Sequence, residues 1–175
     1  MTGKVYLVGA GPGDPGLLTL RGQQCLQLAD VVLHDRLVDP RILTEVQANA
    51  ELVDVGKTRG EQHLNQETIN AMLVNLASLG KQVVRLKGGD PFIFGRGGEE
   101  ALALKQAGLD FEVVPGVTSV VAVPAYAGIP LTHRGTSASV VIVSGSEDPS
   151  KEDGQIDWKT LASHNGTLVI LMGWQ

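Results

Sequence analysis

The chain has 175 residues, of which 43% are hydrophobic and 19% charged, a balance typical of a soluble globular protein. No apolar run approaches the roughly 20 residues that a membrane helix needs, and no secretory signal opens the sequence, so we expect a cytoplasmic protein outside the membrane. The net charge of −5 and the 4% of aromatic residues argue against binding to nucleic acid, which needs a basic face or base-stacking rings.

Short apolar runs alternate with helical patterns through the first two thirds of the chain. Continuously apolar or β-branched runs, typical of strands covered on both faces, predict strands at 5–8, 31–33, 52–55, 83–86 and 111–114. Helical patterns separate these strands at 17–29, 66–79, 98–107 and 118–127. The clearest helix, 66–79, has Asn65 as its predicted N-cap and Gly80 as its predicted stop. Strands that alternate with helices indicate an α/β fold with a mainly parallel sheet.

A Gly/Pro-containing break divides the chain into two predicted domains. An N-terminal α/β domain is expected over 1–127, an interdomain linker over 128–137 and the start of a second α/β domain over 138–175. The second domain has predicted strands at 139–144 and 167–171, a polar loop at 146–155 and a short helix at 157–162. Two strands and one helix cannot enclose a core by themselves, so we expect this domain to be incomplete.

The first strand ends in a glycine-rich loop, GAGPGDPG at 9–16. The dinucleotide fingerprint G-x-G-x-x-G fails there because Asp14 occupies the place of the third glycine. Pro12 and Pro15 have no backbone N–H to offer a phosphate, and Asp14 adds a negative charge. These features disfavour NAD and nucleoside triphosphates, whereas S-adenosylmethionine, with a positive sulfonium and no phosphate, suits such a loop better. A tight strand-to-helix turn explains the loop equally well.

Seven segments in fixed order resemble one known family. They are GAGPGDPGLLT at 9–19, DRLV at 35–38, VGK at 55–57, RLKGGDPFIFGRGGEE at 85–100, VPGVTS at 114–119, GIPLTHR at 128–134 and LVILMG at 168–173. The set resembles the uroporphyrinogen III C-methyltransferases among the tetrapyrrole methylases, either stand-alone or as a module of sirohaem synthase. Family members continue beyond the last segment, so the chain is expected to be C-terminally truncated.

The resemblance implies a homodimeric two-domain enzyme that binds S-adenosylmethionine in the interdomain cleft. It further implies two successive methyl transfers that convert uroporphyrinogen III through precorrin-1 to precorrin-2, for sirohaem, cobalamin or haem d1. It assigns Asp35 as proton acceptor and Lys57 as proton donor. The implied cofactor contacts are Pro12, Gly88, Gly89, Asp90, Ile93, Thr118, Ser119 and Met172.

Asp35 follows the second predicted strand, at the carboxyl edge where sites form in such sheets. A pyrrole N–H must lose its proton around the methyl transfer, which calls for a general base. Two other roles remain open for this carboxylate: a hydrogen bond to the cofactor ribose, and a structural cap of its loop.

Several cations lie in or beside the glycine-rich loops. We hypothesise that four of them pair with the eight carboxylates of the substrate: Arg36, Lys87, Arg96 and Arg134. Solvated loop charge is the alternative explanation. The four histidines show no metal-ligand spacing, so no metal site is expected.

Two other classes of function stay open at this point. One is a non-catalytic α/β binding module derived from the enzyme, since the second domain is expected to be incomplete. The other is a nicotinamide oxidoreductase, which the two loop prolines and Asp14 disfavour.

Overall fold

The computed structural model describes residues 2–56, 64–146 and 156–173. The polar segment predicted as a loop at 146–155 therefore lies outside the described residues, apart from Ser146. The chain divides into two units, Met1–Ser119 and Val120–Gln175. The domain limits drawn from the sequence, with a boundary after residue 127, stay a prediction.

A five-stranded sheet forms the first unit. Its strands are β1 (Lys4–Gly9), β2 (Val31–His34), β3 (Glu51–Asp54), β4 (Gln82–Lys87) and β5 (Asp110–Val114). They lie in the order β3-β2-β4-β1-β5, and every pair is parallel, which confirms the predicted α/β fold. The strand β3 is largely exposed, contrary to the expectation of cover on both faces, because it lies at the edge of the sheet.

Four helices connect these strands, and a fifth begins at the end of the unit. They are α1 (Leu20–Leu28), α2 (Pro40–Leu43), α3 (Gln66–Ser78), α4 (Gly97–Gln106) and α5 (Ser119–Tyr126). The cap predicted for α3 is confirmed, since Oδ1 of Asn65 accepts a 2.7 Å hydrogen bond from the backbone N–H of Thr68. The first helix begins later than predicted because Pro15–Leu17 forms a separate 3-10 turn. The short α2, with Pro40 in its first turn, was not predicted.

Side chains alternate between the two faces of the sheet, and each face has its own core. Odd-numbered residues such as Leu7, Leu33 and Val83 pack with Leu73 of α3 and Leu104 of α4. Even-numbered residues of the same strands form the other core, together with α1 and α2: Val8, Val32, Val84, Leu86, Cys25, Leu26 and Ile42. The central strand β4 is therefore covered on both faces, by α3 and α4 on the odd-numbered one.

The second unit contains a separate two-stranded parallel sheet. Its strands are β6 (Val140–Ser144) and β7 (Thr167–Leu171), and α6 (Trp158–Ala162) lies between them in sequence. No described residue of these three elements is fully buried. No helix within the described ranges is both long enough and apolar enough to cross a bilayer.

Candidate functional site

A cavity of about 690 Å³ opens at the carboxyl ends of β2, β3 and β4. Loops after these strands and the first turn of α3 supply its walls. The lining residues are Asp35, Arg36, Leu37, Val55, Gly56, Leu64, Gln66, Ile69, Arg85, Lys87, Gly88, Ile93, Phe94, Gly95 and Arg96. The carboxyl edge of a parallel sheet is where ligands bind in open α/β folds.

Asp35, the predicted proton acceptor, extends the ladder of β2 by one residue. Its backbone N–H donates to the carbonyl of Leu86 over 3.1 Å, and its own carbonyl accepts from Val38 over 3.1 Å. The side chain is 30% exposed, and its Oδ1 accepts a hydrogen bond from Nη2 of Arg85. The carboxylate is thus held by an ion pair at the cavity wall. Lys57, the predicted proton donor, lies outside the described residues.

Arg85 and Lys87 are buried cations on the central strand. They alternate with Leu86 and so share the odd-numbered face with Val83, under α3 and α4. Each side chain is only 3% exposed. Burying two cations on one strand is costly unless carboxylates pair with them.

Glu100 on α4 supplies the compensating charge. Its Oε1 accepts from Nε of Arg85 over 3.0 Å and from Nζ of Lys87 over 2.9 Å. Nε2 of Gln66 donates to the same oxygen over 3.2 Å. Within the described part of the chain, the buried Oε2 of Glu100 has no hydrogen-bond partner. Burial, and then the charge of Arg85, lower the pKa of Lys87.

Three of the four predicted substrate contacts line this cavity: Arg36, Lys87 and Arg96. Lys87 reaches it from the buried network just described. Arg96, at φ 56°, precedes α4, and its Nε and Nη2 each donate to Glu99 over 2.8 Å. Arg134 belongs to the second unit, in the turn bridged by His133 and Ser137. The roles of all four remain predictions.

Backbone contacts between glycines join the loops that follow β1, β4 and β5. Gly11 donates to the carbonyl of Gly89 over 3.1 Å, and Gly89 donates back to Gly11 over 2.7 Å. A Cβ on Gly9 would lie 2.6 Å from both the Cα of Gly116 and the carbonyl oxygen of Gly89. Only glycine allows this close approach of the backbones, so the fold requires a glycine at position 9.

Asp90 fastens two of these loops with its side chain. Oδ1 accepts from the N–H of Phe92 over 2.8 Å, and Oδ2 accepts from the N–H of Gly116 over 3.1 Å. These contacts give Asp90 a structural role in the turn that it forms with Pro91.

The other predicted cofactor contacts divide between the two units. Pro12 directly follows Gly11, and Gly88 and Ile93 line the cavity. Thr118 lies next to Gly89, with its Cα 3.8 Å from the place of a Cβ on that glycine. Ser119 opens α5. Met172, at φ 56° and half-exposed, belongs to the second unit. The cofactor-binding roles of these residues stay predictions.

Sequence reasoning missed Arg85 and Glu100. The available signal was a cation, Arg85, inside a strand predicted to be covered on both faces, with a second cation, Lys87, directly after it. Such cations require a carboxylate from a covering helix. Glu100 lies four residues before Leu104, on the face that α4 packs against the sheet. Among the described residues, no group of three or more His, Cys, Asp or Glu side chains could hold a metal ion.

These features define an α/β protein with a ligand-sized cavity, lined in part by charged side chains, at the carboxyl edge of a parallel sheet. The chain belongs to the tetrapyrrole methylases: the family model described as Tetrapyrrole (Corrin/Porphyrin) Methylases matches residues 4–175. The family resemblance drawn from the sequence is thereby confirmed, and the nicotinamide oxidoreductase interpretation is set aside.

Curated relatives are similar over nearly the whole chain. The S-adenosyl-L-methionine-dependent uroporphyrinogen III methyltransferase of Methanosarcina barkeri is 55% identical over 171 residues, which cover 98% of this chain and 67% of that protein. Siroheme synthase 2 of Yersinia pestis is 57% identical over 98% of this chain, but only 36% of that longer protein is covered. The chain thus spans about two thirds of one relative and about one third of the other.

A solved structure has the same fold. Uroporphyrin-III C-methyltransferase from Thermus thermophilus, complexed with S-adenosyl homocysteine, superposes with a TM-score of 0.79 at 48% identity. The match covers 98% of this chain and 70% of that one.

Proposed function

We propose that this chain carries the catalytic residues of an S-adenosylmethionine-dependent uroporphyrinogen III C-methyltransferase. The reaction is two successive C-methylations, through precorrin-1 to precorrin-2. The observation that carries the proposal is the cavity in which a carboxylate, Asp35, stands beside the cations Arg36 and Arg96. Relatives that are 55% and 57% identical and named for this reaction or for siroheme synthesis support the choice of substrate.

The glycine-rich loops fit S-adenosylmethionine. A Cβ on Gly13 would meet nothing within 4 Å, and one on Gly89 only the Cα of Thr118 at 3.8 Å, so the backbone borders open space at both places. Asp14 uses its carboxylate to cap the turn at Pro15–Leu17 through Gly16, so no phosphate-binding nest is presented there. When bound, this cofactor supplies a methyl group activated by the adjacent positive sulfonium.

We assign the following roles in the reaction to residues of this chain. Asp35 accepts the proton that the pyrrole N–H loses as the ring carbon attacks. Lys57 is the proton donor that the family resemblance implies. Positioning dominates the catalysis of an in-line displacement, so the loops that carry Gly88, Gly89 and Ile93 orient the two reactants.

The cations bind the carboxylates of the substrate. Arg36 and Arg96 line the cavity, and a guanidinium pairs with a carboxylate through two parallel hydrogen bonds. Lys87 and Arg134 complete the proposed set. The cofactor contacts Pro12, Asp90, Thr118, Ser119 and Met172, the homodimer and the cytoplasmic location are part of the same proposal, and the family resemblance supports them.

Anaerobic incubation of the chain with uroporphyrinogen III and S-adenosylmethionine tests the proposal. We expect mass increases of one and then two methyl groups, and we expect Asp35→Asn to abolish both. Arg36→Glu should raise KM, because it reverses a charge in the cavity, whereas the same reversal at exposed Lys105 on α4 should leave KM unchanged.

Isothermal titration calorimetry with S-adenosylhomocysteine distinguishes the methyltransferase from the non-catalytic binding module. Binding without turnover would favour the non-catalytic binding module over the enzyme. Absence of both binding and turnover would contradict the proposal.

A further inference from the structure

Four charged side chains form a cluster at the cavity: Asp35, Arg85 and Lys87 line it, and Glu100 lies behind them. Asp35 at the cavity wall is 30% exposed, Arg85 behind it 3%, and Glu100 behind Arg85 is fully buried. Lys87 joins at Glu100. Two cations thus meet two carboxylates, and the cluster is neutral when all four groups are ionised.

Arg85 is held on three sides of its guanidinium. Nε donates to Oε1 of Glu100, Nη1 donates to the carbonyls of Leu33 and Leu86 over 3.3 Å each, and Nη2 donates to Oδ1 of Asp35. The guanidinium is a rigid planar fork, so fixing Nε and Nη1 also fixes the direction of Nη2. A lysine at this position could not reproduce that geometry.

Glu100 fixes the orientation of this fork at Nε, while Asp35 accepts from Nη2. Glu100 comes from α4, while Arg85 and the two carbonyls come from β4 and β2, so the fork is clamped between the helix and the sheet. Arg85 in turn engages Oδ1 of Asp35. The oxygen that Arg85 does not engage, Oδ2, is then the one left to accept a proton.

We propose that Arg85 and Glu100 are positioning residues that hold Asp35 in one orientation at the cavity wall, with Oδ2 as the proton-accepting oxygen. The inference rests on the proposed function, in which Asp35 takes the pyrrole proton. Glu100 is not among the residues that line the cavity, and Arg85, which is, is only 3% exposed and is paired with Asp35 and Glu100. Both act through the Asp35 carboxylate.

A second Arg–Glu pair, between Arg21 of α1 and Glu112 of β5, provides a control away from the cavity. Arg21 donates from Nε and Nη2 to Glu112 over 2.8 and 2.9 Å, and neither residue lines the cavity. The test compares Glu100→Gln and Arg85→Lys with Glu112→Gln and Arg21→Lys. The isosteric Glu100→Gln keeps an acceptor for the three donors but removes the charge.

Kinetics on the chain provide the first readout. We expect Glu100→Gln and Arg85→Lys to lower kcat about 10- to 100-fold, the scale of a misplaced catalytic group. KM should stay unchanged in Arg85→Lys, whereas Glu100→Gln also alters the partner of Lys87 and so changes KM as well as kcat. The two control variants should match the unsubstituted chain. If the cavity-side variants also matched it, or if KM alone changed, the inference would be overturned.

The guanidinium NMR signals of Arg85 provide a readout that needs no turnover. In the unsubstituted chain we expect separate Nη1 and Nη2 resonances, because the clamp hinders rotation. They should merge in Glu100→Gln and in Asp35→Asn, which lies at the solvent edge and leaves the core intact. Unchanged signals in both variants would refute the positioning role even if the chain methylates, whereas merged signals in a chain without turnover would leave the clamp standing and remove the proposed function.

Discussion

Nε of Arg85 on the central strand donates to Oε1 of Glu100 on α4 over 3.0 Å, and both side chains are shielded from solvent. The pair fastens α4 to the sheet at the same end as the cavity. Because Lys87 shares the same oxygen, one carboxylate satisfies two buried cations.

Removing this carboxylate should destabilise the first unit. Glu100→Ala leaves Lys87 without its carboxylate partner and Arg85 with Asp35 alone, and breaking a buried ion pair from one side costs about 3–5 kcal/mol. Amide hydrogen exchange of the β4 backbone measures the change. Glu99→Ala, which removes an exposed bridge to Arg96, should cost less than about 1 kcal/mol. Equal effects of the two substitutions would contradict the assigned burial.

Gly9 and Gly98 should respond oppositely to alanine. Gly9→Ala places a methyl group 2.6 Å from the backbone of Gly116 and Gly89, so the loops must separate, and we expect a loss of stability of about 1–3 kcal/mol. Gly98→Ala, in the first turn of α4, meets nothing within 4 Å and should be neutral or stabilise by about 0.5–1 kcal/mol. Urea denaturation followed by far-UV circular dichroism measures both, and a neutral Gly9→Ala would refute the close approach.

Asp90→Ala should weaken S-adenosylhomocysteine binding without unfolding the sheet. It removes the two backbone hydrogen bonds that fasten the loops after β4 and β5, each worth about 1.5–3 kcal/mol when the acceptor is charged. Without these hydrogen bonds the two loops are less ordered, and ordering them on binding lowers the affinity that isothermal titration calorimetry measures. Asp110→Ala, exposed at the start of β5, serves as the control and should bind normally. Normal binding by Asp90→Ala would separate this residue from the cofactor site.

Glu112 should make stability depend on acid pH. Hydrogen bonds from Arg21 and then Lys4 lower the pKa of Glu112 from 4.5 to about 2. Because the folded-state pKa is the lower one, the stabilisation is complete above pH 4.5 and is lost as the pH falls through about 2. Carbon-13 NMR titration of the Glu112 carboxyl measures the pKa directly. Arg21→Ala should move it back towards 4.5, and a pKa near 4.5 in the unsubstituted chain would contradict the ion pair.

Local pattern predicted the elements well where the pattern was strong. The cap at Asn65 and the helix after it appear as expected, because the capping oxygen and the N–H it accepts are three residues apart. The turn at Pro15–Leu17 and the short α2 were missed, since each depends on a proline and an aspartate cap rather than on apolar periodicity.

The candidate site, too, could be predicted from the sequence only in part. Asp35 could be placed at the carboxyl edge because it directly follows a strand, and strand ends share an edge in any parallel sheet. The positions of Gly88, Ile93 and Arg96 on the cavity follow from one loop after β4. The pairing of Arg85 with Glu100 and Asp35 could not be predicted to that detail, because the three residues are 15 and 50 positions apart in sequence.

The sequence by itself determined the alternation of strands and helices, the parallel sheet and the family to which the chain belongs. Those properties follow from residue periodicity and from motifs a few residues long. Only the tertiary structure decided that Lys87 meets Glu100 and that Gly9 touches Gly116. Both contacts depend on how α4 and the β5 loop pack against the sheet, and packing joins residues whose separation along the chain carries no local signal.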